Sequence, residues 1–240
     1  MTQATDAREA RVFASELKFL VDQGVGATIR SWARARLQPD PHGTGAYGDE
    51  YRTASVYFDT AGYDVFFRRG SFGRSKFRVR RYGCGDSVFL ERKLARPGLV
   101  TKRRTLVARE ALGRLERPEP DRQWSGDWFA RRLQLRGLRP VCQVSYSRTA
   151  HVAAAERGPI RLTLDENVRA LPAEHVAFTR EGGTPVLEPQ MILELKYSVR
   201  MPDLFQDLVE TFALVPQSAS KYRLSVVALG CVPSPETTAT

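Results

Sequence analysis

Histidine and cysteine are both scarce in this sequence, which has three of each among 240 residues. Cys84, Cys142 and Cys231 lie far apart, and no two of them have the spacing of a metal site or a redox pair. Unpaired cysteines are typical of a reducing compartment, so we expect free thiols and a cytoplasmic protein. The histidines have no serine or cysteine partner at suggestive positions, which argues against a catalytic triad.

Long apolar runs and nucleotide-binding glycine motifs are also missing. No stretch approaches the roughly 18 apolar residues that a membrane helix needs, and the first residues lack the apolar core of a secretory signal. Gly24 and Gly26 have no third glycine to complete a dinucleotide fingerprint, and no G-x-x-x-x-G-K-[ST] motif occurs. We therefore expect no membrane segment, and any nucleotide must be held by side chains instead of a P-loop.

Positive charge is abundant. Lysine and arginine number 37 against 27 aspartates and glutamates, which gives a formal net charge of +10. A surplus of this size indicates a polyanionic partner: nucleic acid, an anionic membrane or a phosphate-rich small molecule. Composition does not choose among them. The length suits one large domain or two small ones, and a hydrophobic content of 42% is enough for a core.

The basic residues recur with the period of a β-strand. In residues 73–83, Lys76, Arg78 and Arg80 point to one side, and Phe77 and Val79 point to the other. The same alternation occurs at Glu16/Lys18, Glu91/Lys93, Lys102/Arg104, Tyr146/Arg148, Arg161/Thr163/Asp165 and Glu194/Lys196. These polar faces are dominated by arginine and lysine, whereas an ordinary solvated face carries any soluble residue. Either a solvated basic face or the wall of a ligand site explains the pattern.

Turn residues and apolar periodicity predict about eight strands and four or five helices in one domain over residues 11–230. Because the helices fall between hairpins, an antiparallel α+β fold is favoured over a parallel sheet. Residues 61–70 are predicted to be helical and residues 173–185 to contain a strand. The terminal segments 1–10 and 231–240 are predicted to be disordered.

If the sheet closes on itself, its charged faces meet in the interior and their positive charge must be neutralised. A closed barrel of about eight strands holds one small ligand, and the amphipathic helices would pack on its apolar outer face. Its lumen would then contain about ten cations that repel one another at low dielectric. A triphosphate or a longer phosphate chain would relieve that repulsion, and a divalent cation bound by a carboxylate would screen the phosphates.

Eight motifs carry a family resemblance. In order they are ELKFLVD, SVYFDT, KFRVRRYG, VFLERK with KRR after it, YSRTA, IRLTLDENV, ILELKYS and SKYRLS. Together they resemble the polyphosphate-polymerase (VTC) domain of the vacuolar transporter chaperone family, which belongs to the triphosphate tunnel metalloenzymes. The resemblance runs from about residue 11 to residue 229. Each motif alone is weak, and their shared order makes the match specific.

The resemblance implies an antiparallel tunnel that binds ATP, triphosphate or polyphosphate with Mn²⁺ or Mg²⁺. Polymerase members transfer the γ-phosphate of ATP to a growing polyphosphate chain. Motif by motif, it implies catalytic roles for Arg78, Arg80, Lys93 and Arg148, phosphate binding by Lys18 and Lys221, and metal binding by Glu194. The strand alternation adds Lys76, Lys102, Arg161 and Lys196 to the phosphate-binding residues and Glu16 to the metal ligands. Asp165 is expected to form an orienting ion pair with Arg161.

Two departures from related proteins stand out. CYTH phosphatases carry E-x-E-x-K on the first strand, where this sequence has Ala14 in the first position, so one metal carboxylate is missing. Eukaryotic members add a phosphate-sensing domain and membrane helices, and neither is expected here. Two alternatives to a polymerase stay open: a tunnel triphosphatase, and a non-catalytic binder of polyphosphate or nucleic acid. No specific nucleic acid is expected, because carboxylates alternate with the cations.

Overall fold

The computed structural model describes residues 7–12, 15–96, 99–116, 119, 121–179, 181–198 and 200–232. These residues form eleven β-strands, four α-helices and two 3₁₀ helices. The strands are β1 (Ala7–Val12), β2 (Ser15–Val21), β3 (Gln38–Pro39), β4 (Glu50–Asp59), β5 (Ser75–Tyr82), β6 (Ser87–Arg96), β7 (Leu99–Ala108), β8 (Arg139–Ala155), β9 (Gly158–Pro172), β10 (Thr184–Pro185) and β11 (Met191–Tyr197). The helices are α1 (Gln23–Arg36), α2 (Asp127–Leu135), α3 (Asp203–Thr211) and α4 (Lys221–Ala228), and the 3₁₀ helices span Gly70–Arg74 and Arg109–Leu115.

All strands belong to one antiparallel sheet. Its order is β1-β7-β6-β5-β4-β8-β9-β11-β2, and the two-residue strands β3 and β10 pair with β8 and β9. The prediction of an antiparallel α+β fold is therefore confirmed. Among the described residues, no helix is long and apolar enough to cross a membrane.

The predicted closed barrel is wrong. The sheet ends at β1 on one side and β2 on the other, and no ladder between described strands joins these ends. The edge of β7 is instead paired with β1, so it is not available to another strand. The sheet nevertheless curves until Lys93 Nζ on β6 lies 3.5 Å from Glu16 Oε2 on β2. Side chains, not backbone hydrogen bonds, span the gap.

The apolar outer face of the sheet is covered by helices, as the sequence predicted. Ile29 of α1 and Phe205 of α3 pack with Leu193 of β11 in one cluster of buried residues. Phe129 of α2 packs against Phe77 of β5 in a second cluster. Residues of opposite parity on the same strands are thereby left for the inner, charged face.

The structure describes only part of the two terminal segments that were predicted to be disordered, and residues 1–6 lie outside the described residues. Residues 7–10 of the expected N-terminal tail lie in β1, whose backbone pairs with β7 in register from Ala7 opposite Arg104 to Val12 opposite Leu99. Of the predicted C-terminal tail, residues 233–240 lie outside the described residues. Val232 is buried in the core, because it packs with the second cluster.

Residues 61–70 do not form the predicted helix. Asp59, at the end of β4, accepts hydrogen bonds from the backbone N–H groups of Val65 and Phe66 at 2.8 and 2.9 Å. These bonds hold the segment as a series of turns, and Tyr63 and Arg68 adopt positive φ angles of 57°. A helix is excluded because single residues in this left-handed region interrupt it.

Among the described residues of the range 173–185, only Thr184–Pro185 form a strand, so the strand prediction there is largely wrong. The side chain of Gln143 replaces a strand partner: its amide donates to the Thr179 carbonyl at 2.7 Å and its oxygen accepts from the Thr179 N–H at 2.9 Å. The C-terminal motif SKYRLS, for which the sequence indicated no element type, begins α4.

Asp59 also fixes α4. Its buried carboxylate accepts a hydrogen bond from the Tyr222 hydroxyl in addition to those from the turn that follows β4. We expect Tyr222→Phe to lower the free energy of unfolding by about 1.5–3 kcal/mol, because one bond to a charged group is lost. Asp59→Ala should cost more, since several donors lose their acceptor. Urea unfolding measures the free energy of unfolding of both variants. An equal loss of stability in the two variants would contradict the role of Asp59 as a shared acceptor.

Candidate active site

The inner face of the curved sheet encloses a cavity of about 150 Å³. Seven strands and the first turn of α4 contribute its walls. The charged lining residues are Glu16, Lys18, Lys76, Arg78, Arg80, Glu91, Lys93, Lys102, Arg148, Glu194, Lys196 and Lys221. Tyr57, Tyr146, Ser220 and Tyr222 complete the lining. Nine cationic side chains therefore face three carboxylates in one small space.

Strand register explains why these side chains meet. Lys76 of β5 lies opposite Lys93 of β6, which lies opposite Lys102 of β7. Residues directly opposite each other in an antiparallel pair share a face, and like charges there are destabilising. The three lysines therefore form a row that requires negative charge from elsewhere.

Glu91 supplies negative charge to the neighbouring row. Its carboxylate lies 2.6 Å from Arg78 Nε, 3.2 Å from Lys102 Nζ and 3.1 Å from Arg104 Nε. Burial alone would raise the pKa of Glu91, but Arg78 and Arg80 hold it well below its usual range. Glu91 was not among the predicted site residues, although it stands two positions before Lys93 in a motif already singled out by its alternation.

Glu194 is a second centre of negative charge. It contacts Lys18 at 3.1 Å, Lys196 at 3.5 Å and Lys221 at 3.4 Å. Burial opposes its ionisation, but Lys221, Lys196 and Lys18 together keep the pKa of Glu194 far below its usual value. The carboxylate is ionised and shared among three ammonium groups.

Glu16 lies beside this cluster on β2. Its carboxylate contacts Lys18 at 3.0 Å, Lys93 at 3.5 Å and Lys196 at 3.8 Å. Burial raises the pKa of Glu16, but Lys196 and the other lysines outweigh it and lower the pKa to about 2. Lys18 and Lys196 each contact both Glu16 and Glu194, so the two carboxylates form one cluster.

Arg148 lines the cavity, but its guanidinium is already engaged. Its Nε and Nη2 bind the two oxygens of Asp165 at 2.6 and 2.7 Å, and Lys221 contacts the same carboxylate. Arg161 does not line the cavity. It contacts Asp40 at 2.9 Å, so the predicted ion pair between Arg161 and Asp165 is wrong: the residue opposite Asp165 on β8 is Arg148.

Two cavity cations, Arg80 and Lys76, have no carboxylate within ion-pair distance among the described residues. Arg80 is 6% exposed, and its Nε donates to the Ser55 hydroxyl at 3.0 Å. Lys76 donates to the Ser220 hydroxyl at 3.1 Å. Burial lowers the pKa of Lys76 to about 8, and Lys18 and Lys93 add to the lowering. Because burying an unpaired charge is costly, Arg80 and Lys76 mark where an anion is most needed.

Glu16 and Glu194 are the two clustered carboxylates of the cavity that could hold a divalent cation. Within the described part of the chain, no group of three or more histidine, cysteine, aspartate or glutamate residues is placed to hold a metal. Ala14, at the position of the missing third carboxylate, lies outside the described residues. Mg²⁺ is commonly held by one or two carboxylates together with substrate phosphates. The two ionised carboxylates of this cluster fit that arrangement.

The predicted site residues thus occupy one cavity, with Arg161 as the exception. The structure adds Glu91, Tyr57 and Tyr146 to the walls, and Asp165 behind Arg148. Tyr57 receives a hydrogen bond from Arg78 at 3.3 Å and stacks on Tyr222. Its motif, SVYFDT, was visible in the sequence, but alternation of charge gave no reason to select a tyrosine.

The fold and cavity define an α+β protein whose curved antiparallel sheet surrounds a cation-rich site. The VTC domain family model matches residues 13–229, so the chain belongs to the VTC domain family, as its motifs indicated. No curated protein matches its sequence.

Two of the solved structures that resemble this chain are described as putative cyclases. A putative adenylate cyclase from Bacillus halodurans aligns with a TM-score of 0.56 and 17% identity over 90% of this chain and 97% of its own. A putative adenylyl cyclase from Hippeastrum, described as having a dominant triphosphatase activity, aligns with a TM-score of 0.47 and 14% identity over 93% of this chain and 98% of its own. The first likeness shows a shared fold and nothing about activity.

The lowered pKa of Lys76 predicts a pH dependence. Lys76 is charged below about pH 8 and neutral above it, so anion binding should weaken as the pH rises. Between about pH 7 and pH 9, the affinity for inorganic tripolyphosphate should fall about tenfold relative to a Lys76→Arg variant, whose charge persists. Isothermal titration calorimetry measures the tripolyphosphate affinity of the wild type and of the Lys76→Arg variant at each pH. Parallel pH profiles would show that Lys76 does not contact the anion.

Proposed function

We propose that this protein is a metal-dependent phosphotransferase that moves the γ-phosphate of ATP to the end of a polyphosphate chain. The observation that carries the proposal is the buried Arg80, which has no carboxylate within ion-pair distance among the described residues and lines, with Lys76, a cavity whose cations outnumber its carboxylates nine to three. Membership of the VTC domain family supports a phosphate chain as the anion.

Arg78 and Arg80 occupy adjacent inward positions on β5 and are the proposed clamp on the transferred phosphate. Guanidinium groups suit this role because their planar fork binds phosphate oxygens bidentately. Arg78 is oriented by Glu91 and Tyr57, and Arg80 by Ser55. Both arginines are therefore held in place before an anion binds. Such preorganisation is the main requirement for electrostatic stabilisation of a transition state.

The proposed transfer needs no protein nucleophile. A terminal oxygen of the acceptor chain forms a new bond to the γ-phosphorus of ATP, and the bond from that phosphorus to the β–γ bridging oxygen breaks. ADP leaves with the bonding electron pair. The same cavity is lined by Lys18, Lys93, Lys102, Lys196 and Lys221, which offset the charge of both phosphate chains. Positioning and charge neutralisation dominate phosphoryl transfer of this kind.

Glu16 and Glu194 are the proposed metal ligands. A bound Mn²⁺ or Mg²⁺ would neutralise phosphate charge and polarise a phosphoryl oxygen. The contribution of the chain is to keep both carboxylates ionised, which Lys18 and Lys196 do by contacting each of them. The missing carboxylate at Ala14 favours a single ion over a two-metal arrangement.

Product analysis tests the proposed reaction. Incubation with ATP and Mn²⁺ should give polyphosphate that is visible on a gel and degraded by an exopolyphosphatase, with ADP formed in step. Arg80→Met should lower kcat/KM by about 100-fold or more, because one fixed donor to the transferred phosphate is lost.

Arg132→Met is the matched control, since Arg132 is an exposed arginine on α2 outside the cavity. It should leave the rate unchanged, and thermal unfolding should show that Arg80→Met is folded. Free phosphate without polymer would instead indicate the tunnel triphosphatase. ATP binding without turnover would indicate a non-catalytic binder. Either outcome would overturn the polymerase proposal.

The proposed metal ligands predict a binding defect that is separate from catalysis. With tripolyphosphate present, Glu16→Gln should weaken Mn²⁺ binding at least about tenfold, since altered metal surroundings typically cost that much or more. Loss of the free Mn²⁺ signal in electron paramagnetic resonance measures binding. Glu110→Gln is the control, because Glu110 is a largely exposed carboxylate after β7. Equal Mn²⁺ affinity in all three proteins would exclude Glu16 as a ligand.

A further inference from the structure

A groove leads from the cavity to the surface. Its inner part has a volume of about 320 Å³ and shares Glu16, Lys18, Lys76 and Ser220 with the cavity. Its outer part, the outer groove, has a volume of about 410 Å³ and is lined by Phe66, Arg68, Ser218, Ser220, Arg223, Leu224 and Val227. Arg68, Ser218 and Ser220 line both parts, so the path is continuous.

The two walls of the outer groove are fixed to each other. One wall is the turn segment after β4, which contains Phe66 and Arg68, and the other is α4. Asp59 binds the backbone of Phe66 at 2.9 Å and the hydroxyl of Tyr222 on α4. Arg223 of α4 also donates to the Phe66 carbonyl at 3.0 Å. The groove is therefore formed before any ligand enters.

The chemistry of the outer groove differs from that of the cavity. Phe66, Leu224 and Val227 give it an apolar component, and the Arg223 guanidinium lies 4.8 Å from the centre of the Phe66 ring. Arg68 is exposed, and no carboxylate of the described residues pairs with it or with Arg223. The groove thus combines apolar surface with two guanidinium groups, whereas charged side chains dominate the cavity.

We propose that the outer groove binds the nucleoside of a nucleoside triphosphate whose phosphates lie in the cavity. This inference rests on the proposed function, which places those phosphates at Arg80 and Lys76. Guanidinium planes stack on bases without regard to sequence, and both Arg68 and Arg223 line the outer groove. Leu224 and Val227 contribute apolar contact, and the hydroxyls of Ser218 and Ser220 are suited to ribose. A phosphate chain without a nucleoside would make no favourable contact with the apolar wall.

A comparison of ATP with inorganic tripolyphosphate distinguishes binding in the outer groove from binding in the cavity. Arg68→Asn removes the guanidinium and suits the positive φ of this position, which asparagine tolerates. The variant should lose at least about fivefold in affinity for ATP, in the range reported for one base stack. Leu224→Ser should weaken ATP binding without any change of charge. Both variants should bind inorganic tripolyphosphate as the wild type does, and Arg132→Ala should bind both ligands normally.

The outcomes distinguish the two proposals. Tripolyphosphate binding that depends on Arg80, together with ATP binding that ignores Arg68 and Leu224, would overturn the groove proposal alone. If the variants lose equal affinity for ATP and for tripolyphosphate, the groove residues act only through charge or local structure, which would also overturn the groove proposal. Weaker binding of long-chain polyphosphate with normal ATP binding would assign it to the acceptor chain. Tripolyphosphate binding that is indifferent to Arg80 would overturn both proposals.

Photolabelling provides a test that does not depend on affinity. In the full-length protein, 8-azido-ATP should label peptides from residues 61–70 or 217–229, and excess ATP should suppress the label. Excess tripolyphosphate should suppress it as well, because the phosphates share the cavity. Labelling confined to other peptides would overturn the proposal.

Discussion

Ion pairing between too many cations and too few carboxylates governs the inner face of this protein. Glu91, Glu194 and Asp165 are all fully or nearly fully buried, and each serves at least two basic side chains. Removing one of them would leave several buried charges unpaired at once, which is far more costly than the loss of a surface ion pair. The same carboxylates set the orientation of the arginines, so stability and site geometry depend on one set of contacts.

Asp59 plays a comparable part behind Tyr222, which lines the cavity. Its carboxylate accepts hydrogen bonds from uncharged donors. These bonds keep the segment after β4 in turns and fix the hydroxyl of Tyr222. Lys221 precedes Tyr222, so the position of this lysine between Asp165 and Glu194 depends on a bond made elsewhere. The walls of the outer groove depend on the same bond. Asp59 therefore links the first turn of α4, which lines the cavity, to the walls of the outer groove.

The sequence predicted most of the inner face because a period of two needs no knowledge of neighbouring strands. Lys76, Arg78 and Arg80 share a face in any β-strand. Which carboxylate each of them meets depends on register between strands, and no local pattern specifies that. Arg148, and not Arg161, therefore pairs with Asp165. The open edges were missed for a related reason, since the pairing of β1 with β7 depends on residues nearly a hundred positions apart.

The saturated carboxylates make anion and metal binding interdependent under the proposed function. Lys18 and Lys196 are held by Glu16 and Glu194 while no phosphate is bound. A phosphate chain that attracts these lysines lowers their hold on the two carboxylates, which frees carboxylate oxygens for a cation. A cation on those oxygens in turn releases the lysines toward phosphate. Because such coupling is reciprocal, each ligand must strengthen the binding of the other by the same factor. A site built from exchanged ion pairs thus has a thermodynamic reason to bind metal and polyphosphate together.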